Sequence, residues 1–324
     1  MNNRRTQWID ALKGYGIVLV VFGHCITYLE NPGYKYELIW KYIASFNMPL
    51  FFMISGYLYK TSNGGFKNCF LRKMKAMGIP FLVATVLFIP LGYLRAKMTG
   101  GRYSVADDIK YVISFSTFGY TLNGVTWFLV ALFWIYIIHY ILSEKCKLSA
   151  NQSVLVGIVT FIIAWNTPGL NYIPLGRWKI ILTQYLIFAL GYFVKQNQLE
   201  KKFKRIFWLE IIAGLTLAIA FNETVAVSNA IYKNVIVFLF AAVLSCLGYL
   251  SLFRELFERE NTTGNCLAVL GRYSLFIMCT HIPIMYIARV ILSSKENPII
   301  VFALIMVAEM GLISFIMKFE KKKG

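Results

Sequence analysis

Residues 8–28 read WIDALKGYGIVLVVFGHCITY, an apolar segment long enough to cross a bilayer as a helix. It begins with the charged residues Asp10 and Lys13 and carries His24 near its other end. Lys13 and His24 are eleven residues apart, so a helix places them only about 20° apart around its axis and roughly 16 Å apart along it. Ionisable groups are costly inside a membrane helix, so this shared face predicts a functional site.

The rest of the chain is similarly apolar. Apolar residues make up 58% of its 324 residues, and charged residues only 15%, whereas a soluble protein has about 25% charged residues. The pattern predicts an all-α polytopic membrane protein that forms one domain over residues 1–324 and has about ten transmembrane helices. We expect the ten apolar blocks at residues 11–30, 40–59, 79–95, 124–143, 153–166, 179–194, 206–221, 234–252, 273–293 and 298–317.

The net charge of +18 indicates orientation. With an even number of spans both termini lie on one side, and most of the 33 Lys and Arg residues then fall on that side as well. This bias predicts cytoplasmic termini and gives no reason to expect a nucleic-acid partner. The six cysteines show no paired spacing, so we expect neither a disulfide framework nor a metal site.

Each polar residue of the first span has two interpretations. His24 is either a buried histidine bonded to a neighbouring helix or a general base, since a neutral imidazole accepts a proton near physiological pH. Asp10 and Lys13 have the i, i+3 spacing of a helical salt bridge. Lys13 also lies on the His24 face, where it could meet an anionic group entering from the cytoplasm.

The second block contains residues 45–59, SFNMPLFFMISGYLY. Pro49 removes a backbone donor and Gly56 permits close approach of another helix, so we expect a kinked and tightly packed span. Asn47 and Ser55 either form hydrogen bonds between helices or line a cavity beside His24.

A basic cluster with Arg72, Lys73 and Lys75 precedes the third block. It is either an ordinary topology signal or a phosphate site, because Arg offers paired donors and Lys a point charge. Trp127 opens the fourth block, as an interfacial aromatic residue would. His281 falls near the middle of the ninth block and is a second polar candidate.

Taken together, these segments resemble the bacterial membrane acyltransferase family three, and within it the fucose 4-O-acetylase-like glycan acetyltransferases. The resemblance spans nearly the whole chain. Its most specific elements are WIDALKG at residues 8–14, followed by His24 with ten residues between Lys13 and His24, and FNMPLFFMISGY at residues 46–57. The supporting elements are Arg72-x-x-Lys75, Trp127-Phe-Leu, and LGRYS at residues 270–274, which leads to His281.

The resemblance implies that acetyl-coenzyme A is the co-substrate, that no cofactor is tightly bound, and that the acceptor is a hydroxyl of a cell-envelope glycan or lipid-linked sugar. His24 matches the catalytic histidine of the family and Lys13 its paired basic residue. Arg72 and Lys75 match the basic motif thought to hold the coenzyme phosphates, and we count Lys73 with them. Asp10, Asn47, Ser55, Trp127 and His281 are the expected supporting residues.

Two positions depart from the family pattern. Lys13 stands where arginine is common, which keeps the charge but loses the bidentate fork. Asn47 stands where relatives often have histidine, so this position should not transfer protons.

We expect an enzyme of the bacterial inner membrane, surrounded by lipid, whose oligomeric state the sequence does not indicate. One alternative is a transporter or flippase for a lipid-linked sugar, for which paired broken helices in repeated halves would be typical. Another is a non-catalytic assembly protein.

Overall fold

The fold is known from a computed structural model. It describes residues 7–27, 33–60, 64–99, 104–113, 123–167, 169–170, 177–202, 206–223, 225–259, 261–292 and 297–323. Helices dominate these ranges, and their bounds are α1 Gln7–Thr27, α2 Tyr34–Tyr57, α3 Gly65–Lys73, α4 Ile79–Thr99, α5 Val105–Ile113, α6 Trp127–Tyr140, α7 Ala150–Asn166, α8 Trp178–Asn197, α9 Leu199–Lys202, α10 Phe207–Thr216, α11 Val235–Phe257, α12 Thr262–Arg272, α13 Ser274–Ile291 and α14 Pro298–Lys323.

Several short irregular turns extend these helices. Wider π-helical turns follow α3, α6 and α10, at Met74–Gly78, Ile141–Lys145 and Leu217–Phe221. One small hairpin pairs β1 (Val225–Ala226) with β2 (Ile231–Tyr232) in antiparallel register. The predicted all-α class is therefore confirmed, with this hairpin as an addition that the apolar pattern did not indicate.

Each of the ten predicted apolar blocks overlaps a helix. By length and composition, six helical segments are able to span a membrane: 7–27, 34–57, 65–94, 124–145, 235–257 and 298–320. A seventh span results if α12 and α13, which meet at a bend of 72°, are counted together. The chain is thus a multi-pass helical membrane protein, while the count of ten and the cytoplasmic termini stay predictions.

Helix α1 occupies the centre of the bundle and packs against α2, α11, α12, α13 and α14. Its closest neighbour is α12, which it contacts through two glycines. A Cβ on Gly14 would collide with the carbonyl of Leu267, and one on Gly271 would collide with the carbonyl of Asp10. The two backbones therefore touch directly, as small residues allow in membrane helix pairs.

Helix α2 is joined to α8 in the same manner. A Cβ on Gly56 would collide with the carbonyl of Phe188, and one on Gly191 with the carbonyl of Met53. The predicted tight packing of the second block is thus confirmed. The helix itself continues through Pro49 without a break.

The outer faces of the peripheral helices are apolar. Leu87 on α4, Leu155 on α7 and Val307 on α14 are 65%, 61% and 70% exposed. A soluble protein rarely exposes such continuous apolar surface, but lipid covers it at no cost in free energy. Asp10, Asn47 and His281, by contrast, are buried inside the bundle.

Candidate active site

One face of α1 carries the centre of the site. Lys13, Ile17, Val20 and His24 follow one another at intervals of four, three and four residues, so they form a single row along the helix. Two cavities open beside this row. We call them the His24 cavity and the Lys13 cavity after the residue that lines each of them.

The His24 cavity has a volume of about 350 Å³. Its wall combines aromatic, amide and cationic side chains with the loop of the β1–β2 hairpin. The lining residues are Val20, His24, Thr27, Trp40, Ala44, Asn47, Met48, Gly124, Val125, Trp127, Arg177, Val225, Ala226, Val227, Ser228, Asn229, Met278 and Ile282.

The Lys13 cavity is smaller, with a volume of about 160 Å³. Its wall is largely apolar. The lining residues are Lys13, Ile17, Val20, Met48, Phe51, Ile54, Ser55, Ala76, Met77, Phe128, Leu129, Leu132, Ser274, Leu275 and Met278.

The two cavities adjoin at three side chains. Val20, Met48 and Met278 line both of them. Two of the three are methionines, whose unbranched side chains adapt easily to a changing neighbour. The α1 row therefore borders two adjoining cavities with these three side chains between them, and a cation lines one cavity while an imidazole lines the other.

His24 contacts a second histidine. Its Nδ1 lies 3.2 Å from Nε2 of His281, and the ring centroids are 5.1 Å apart. His281 is fully buried, and its Nδ1 lies 2.8 Å from the carbonyl oxygen of Ile277. The structure thus brings together the two histidines that the sequence marked as separate candidates.

Lys13 forms the predicted ion pair and also borders a cavity. Its Nζ lies 3.5 Å from a carboxylate oxygen of Asp10, as the i, i+3 spacing predicted. Its side chain is 21% exposed and also lines the Lys13 cavity. A helical ion pair therefore holds a cation at the wall of this cavity, while Asp10 itself is buried.

The predicted cavity-lining residues divide between the two spaces. Asn47 and Trp127 line the His24 cavity, and Asn47 Oδ1 also accepts a hydrogen bond of 2.7 Å from the backbone N–H of Met48. One of the two alternatives for Ser55 placed it in a cavity beside His24, but Ser55 is not among the residues that line the His24 cavity. Ser55 lines the Lys13 cavity and donates to the carbonyl of Phe51, because eight residues along α2 carry it about 12 Å past Asn47.

The basic cluster lies where α3 passes through a π-helical turn into α4. Arg72 and Lys75 are exposed, whereas the Nζ of Lys73 lies 3.2 Å above the ring centre of Tyr136. Ala76 and Met77 of the same turn line the Lys13 cavity. The cluster is therefore adjacent to this cavity, and Lys73 is already engaged in a cation–π contact.

Sequence reasoning missed Arg177 and the hairpin. Arg177 precedes α8 and donates from its Nη1 to the carbonyl of Ser228 and to Oδ1 of Asn229, which anchors the hairpin at the His24 cavity. Strands of two residues are too short to show an alternating pattern. The sequence signal was an arginine two residues before the sixth apolar block.

Comparison with known proteins identifies the family. A family model described as "Acyltransferase domain" matches residues 6–317. The nodulation protein NolL of Sinorhizobium fredii is 26% identical over 202 residues, which are 60% of this chain and 50% of that protein. NolL of Mesorhizobium japonicum is 25% identical over 242 residues, 71% of this chain and 60% of that protein.

The chain therefore spans about half to three fifths of the length of these two relatives. No solved structure is significantly similar to it. The family match covers nearly all of the chain and includes every residue of the α1 row, both histidines and the basic cluster. The resemblance seen in the sequence is confirmed, and the protein belongs to the acyltransferase family.

Proposed function

We propose that this acyltransferase moves an acetyl group from acetyl-coenzyme A to a hydroxyl of a cell-envelope glycan or lipid-linked sugar, in the bacterial inner membrane. The observation that carries the proposal is the pair of adjoining cavities along α1. The Lys13 cavity is small and largely apolar with a cation at its wall, which suits a thioester arm. The His24 cavity is larger and its wall has a greater polar share, which suits a sugar.

The donor enters from the cytoplasmic side in this proposal. Arg72 and Lys75 are exposed beside the Lys13 cavity and bind the coenzyme phosphates, for which guanidinium and ammonium groups are suited. Lys73 contributes charge from its position against Tyr136. The pantetheine arm follows the Lys13 cavity and brings the acetyl carbonyl to the junction at Val20, Met48 and Met278.

The acceptor enters the His24 cavity from the opposite side. Trp127 offers an apolar surface to a sugar ring, and Asn47 offers an amide to its hydroxyls. His24 removes the proton of the reacting hydroxyl while its oxygen attacks the thioester carbonyl. The carbon–sulfur bond then breaks, His24 returns the proton to the sulfur, and the products are free coenzyme A and an acetyl ester.

The rival function is transport of a lipid-linked sugar. Transporters built from inverted repeats have related broken helices in both halves. In the part of the chain that the structure describes, one helix pair is bent, α12 with α13. A single bent pair, without a counterpart in the other half of the described chain, favours an enzyme over such a transporter.

A vesicle experiment separates the two functions. Membranes of known orientation receive acetyl-coenzyme A on the cytoplasmic side only, with a verified lipid-linked glycan acceptor in the bilayer. We expect release of free coenzyme thiol that depends on the acceptor, and acetylated sugar on the far side. Movement of the glycan to the far side without thiol release would overturn the acyltransferase proposal.

A further inference from the structure

His281 has a hydrogen-bond arrangement that determines which of its nitrogens carries a proton. Its ring is fully buried, with Nδ1 at 2.8 Å from the carbonyl oxygen of Ile277, one helical turn earlier. A carbonyl oxygen only accepts hydrogen bonds, so this short contact requires a proton on Nδ1 of His281. In a neutral imidazole the other nitrogen, Nε2, is then an acceptor.

This assignment extends to His24. Nε2 of His281 lies 3.2 Å from Nδ1 of His24, and one of the two atoms must donate. Because Nε2 of His281 is the acceptor, Nδ1 of His24 carries the proton. The remaining nitrogen of His24, Nε2, then has a free lone pair. Because the His24 side chain is part of the cavity wall, an acceptor in this cavity would meet a basic imidazole.

The reverse arrangement requires a positively charged His281. Nε2 of His281 would then donate to Nδ1 of His24. The proton of His24 would lie on its own Nε2, which could no longer act as a base. No acidic side chain forms an ion pair with either ring within the described ranges. A buried cation without a paired carboxylate is costly, so the neutral pair is favoured.

We infer that His281 is a positioning residue, which fixes His24 in the tautomer whose Nε2 is free to accept the proton of the acceptor hydroxyl. The inference rests on the proposed function. His281 takes no proton itself. It accepts the hydrogen bond from Nδ1 of His24 throughout, and this bond strengthens when His24 becomes charged during the attack. The arrangement gives His281 the orienting role that an aspartate has in serine hydrolases, but without a negative charge.

Two variants of nearly equal side-chain length test the role of the acceptor atom. His281→Gln retains an oxygen that can accept from His24, whereas His281→Met offers only a weakly accepting sulfur. We expect His281→Met to lower kcat by about 10–100-fold, less than the loss on removing the orienting aspartate of a serine protease, because the lost partner is uncharged. The KM for acetyl-coenzyme A should stay unchanged, and His281→Gln should recover part of the rate.

Met285→Leu is the control for damage to α13, because Met285 is also buried one turn further along and the change preserves volume. This variant should retain the kcat of the unmodified protein. Equal rates for the Met and Gln variants at position 281, or a change confined to KM, would contradict the inference.

The tautomer of His24 can also be determined without an activity assay. Nitrogen NMR of the full chain, labelled at histidine and held in detergent, should show His24 protonated at Nδ1 and unprotonated at Nε2. In His281→Met this preference should be lost. A proton on Nε2 of His24 in the unmodified protein would overturn the inference even if the protein acetylates glycans. The predicted tautomer without acetylation would instead retain the inferred hydrogen bond and reject the proposed function.

Discussion

The two cavities along α1 differ in what surrounds them. The Lys13 cavity lies between helices only, and its wall is almost entirely apolar apart from Lys13 and two serines. The His24 cavity has about twice the volume, and its wall includes the β1–β2 hairpin, two tryptophans, two asparagines and Arg177. Both use the same helix face, so the difference comes from the elements that pack against α1.

The difference indicates a division of tasks. A narrow apolar space between helices accepts a flexible chain of fixed chemistry, such as the arm of a coenzyme. A wider space bordered by a loop can vary in shape and in hydrogen-bonding groups, because loops tolerate change better than packed helices. We therefore expect the donor to be recognised at one end of the α1 row and the acceptor at the other.

The largest effect should come from His24→Ala. This change removes the proposed base but leaves the Lys13 cavity intact, so acetyl transfer should fall by roughly 10²–10⁴-fold. Binding of acetyl-coenzyme A, measured by titration of purified protein, should stay within about twofold of the unmodified value. Near-normal transfer by a well-expressed variant would remove His24 from the mechanism.

A large side chain at the junction should separate the cavities. Met48→Trp fills the space shared by both, so we expect transfer to fall by about 10²-fold because the reactants no longer reach one another. Coenzyme titration should change much less. Met48→Leu, which preserves volume, is the matched control. If the Trp variant transferred acetyl groups normally, the two spaces would not be connected during the reaction.

Removal of the exposed charges should affect the donor alone. The double variant Arg72→Gln and Lys75→Gln loses two phosphate contacts, and we expect the KM for acetyl-coenzyme A to rise about tenfold, since 1.4 kcal/mol corresponds to that factor. The acceptor KM should be unaffected. Lys60→Gln with Lys67→Gln removes the same charge from exposed positions nearby. An equal rise in the KM for acetyl-coenzyme A in this control would mean that the basic cluster is only a topology signal.

The smallest effect is expected from Arg177→Lys. Lysine keeps the charge, but its Nζ ends one atom short of the Nη1 that bonds both Ser228 and Asn229, so the hairpin should loosen by about 1 kcal/mol. The acceptor KM should rise about fivefold, with the KM for acetyl-coenzyme A unchanged. Arg259→Lys, at an exposed position after α11, serves as the control. A rise in the donor KM would contradict the division between the cavities.

The sequence predicted those features that depend on the geometry of a single helix. The angular spacing of Lys13 and His24 follows from helical geometry alone, and both residues line the internal space. The contact between His24 and His281 joins residues 257 positions apart, so periodicity could not reveal it. The two alternatives for Ser55 stayed open for a related reason, because depth along α2 matters only once the cavities are known to be offset along α1.

The glycine contact between α1 and α12 has a consequence for the histidines. Gly14 and Gly271 pack backbone to backbone, and His24 and His281 each follow one of these glycines by ten residues. The contact between the two glycines thus fixes the relative position of the two ten-residue segments that lead to His24 and His281. One inserted residue between Gly14 and His24 would rotate the imidazole by about 100° and displace it by about 1.5 Å. The length of this ten-residue interval, and not only its composition, therefore determines the geometry of the proposed active site.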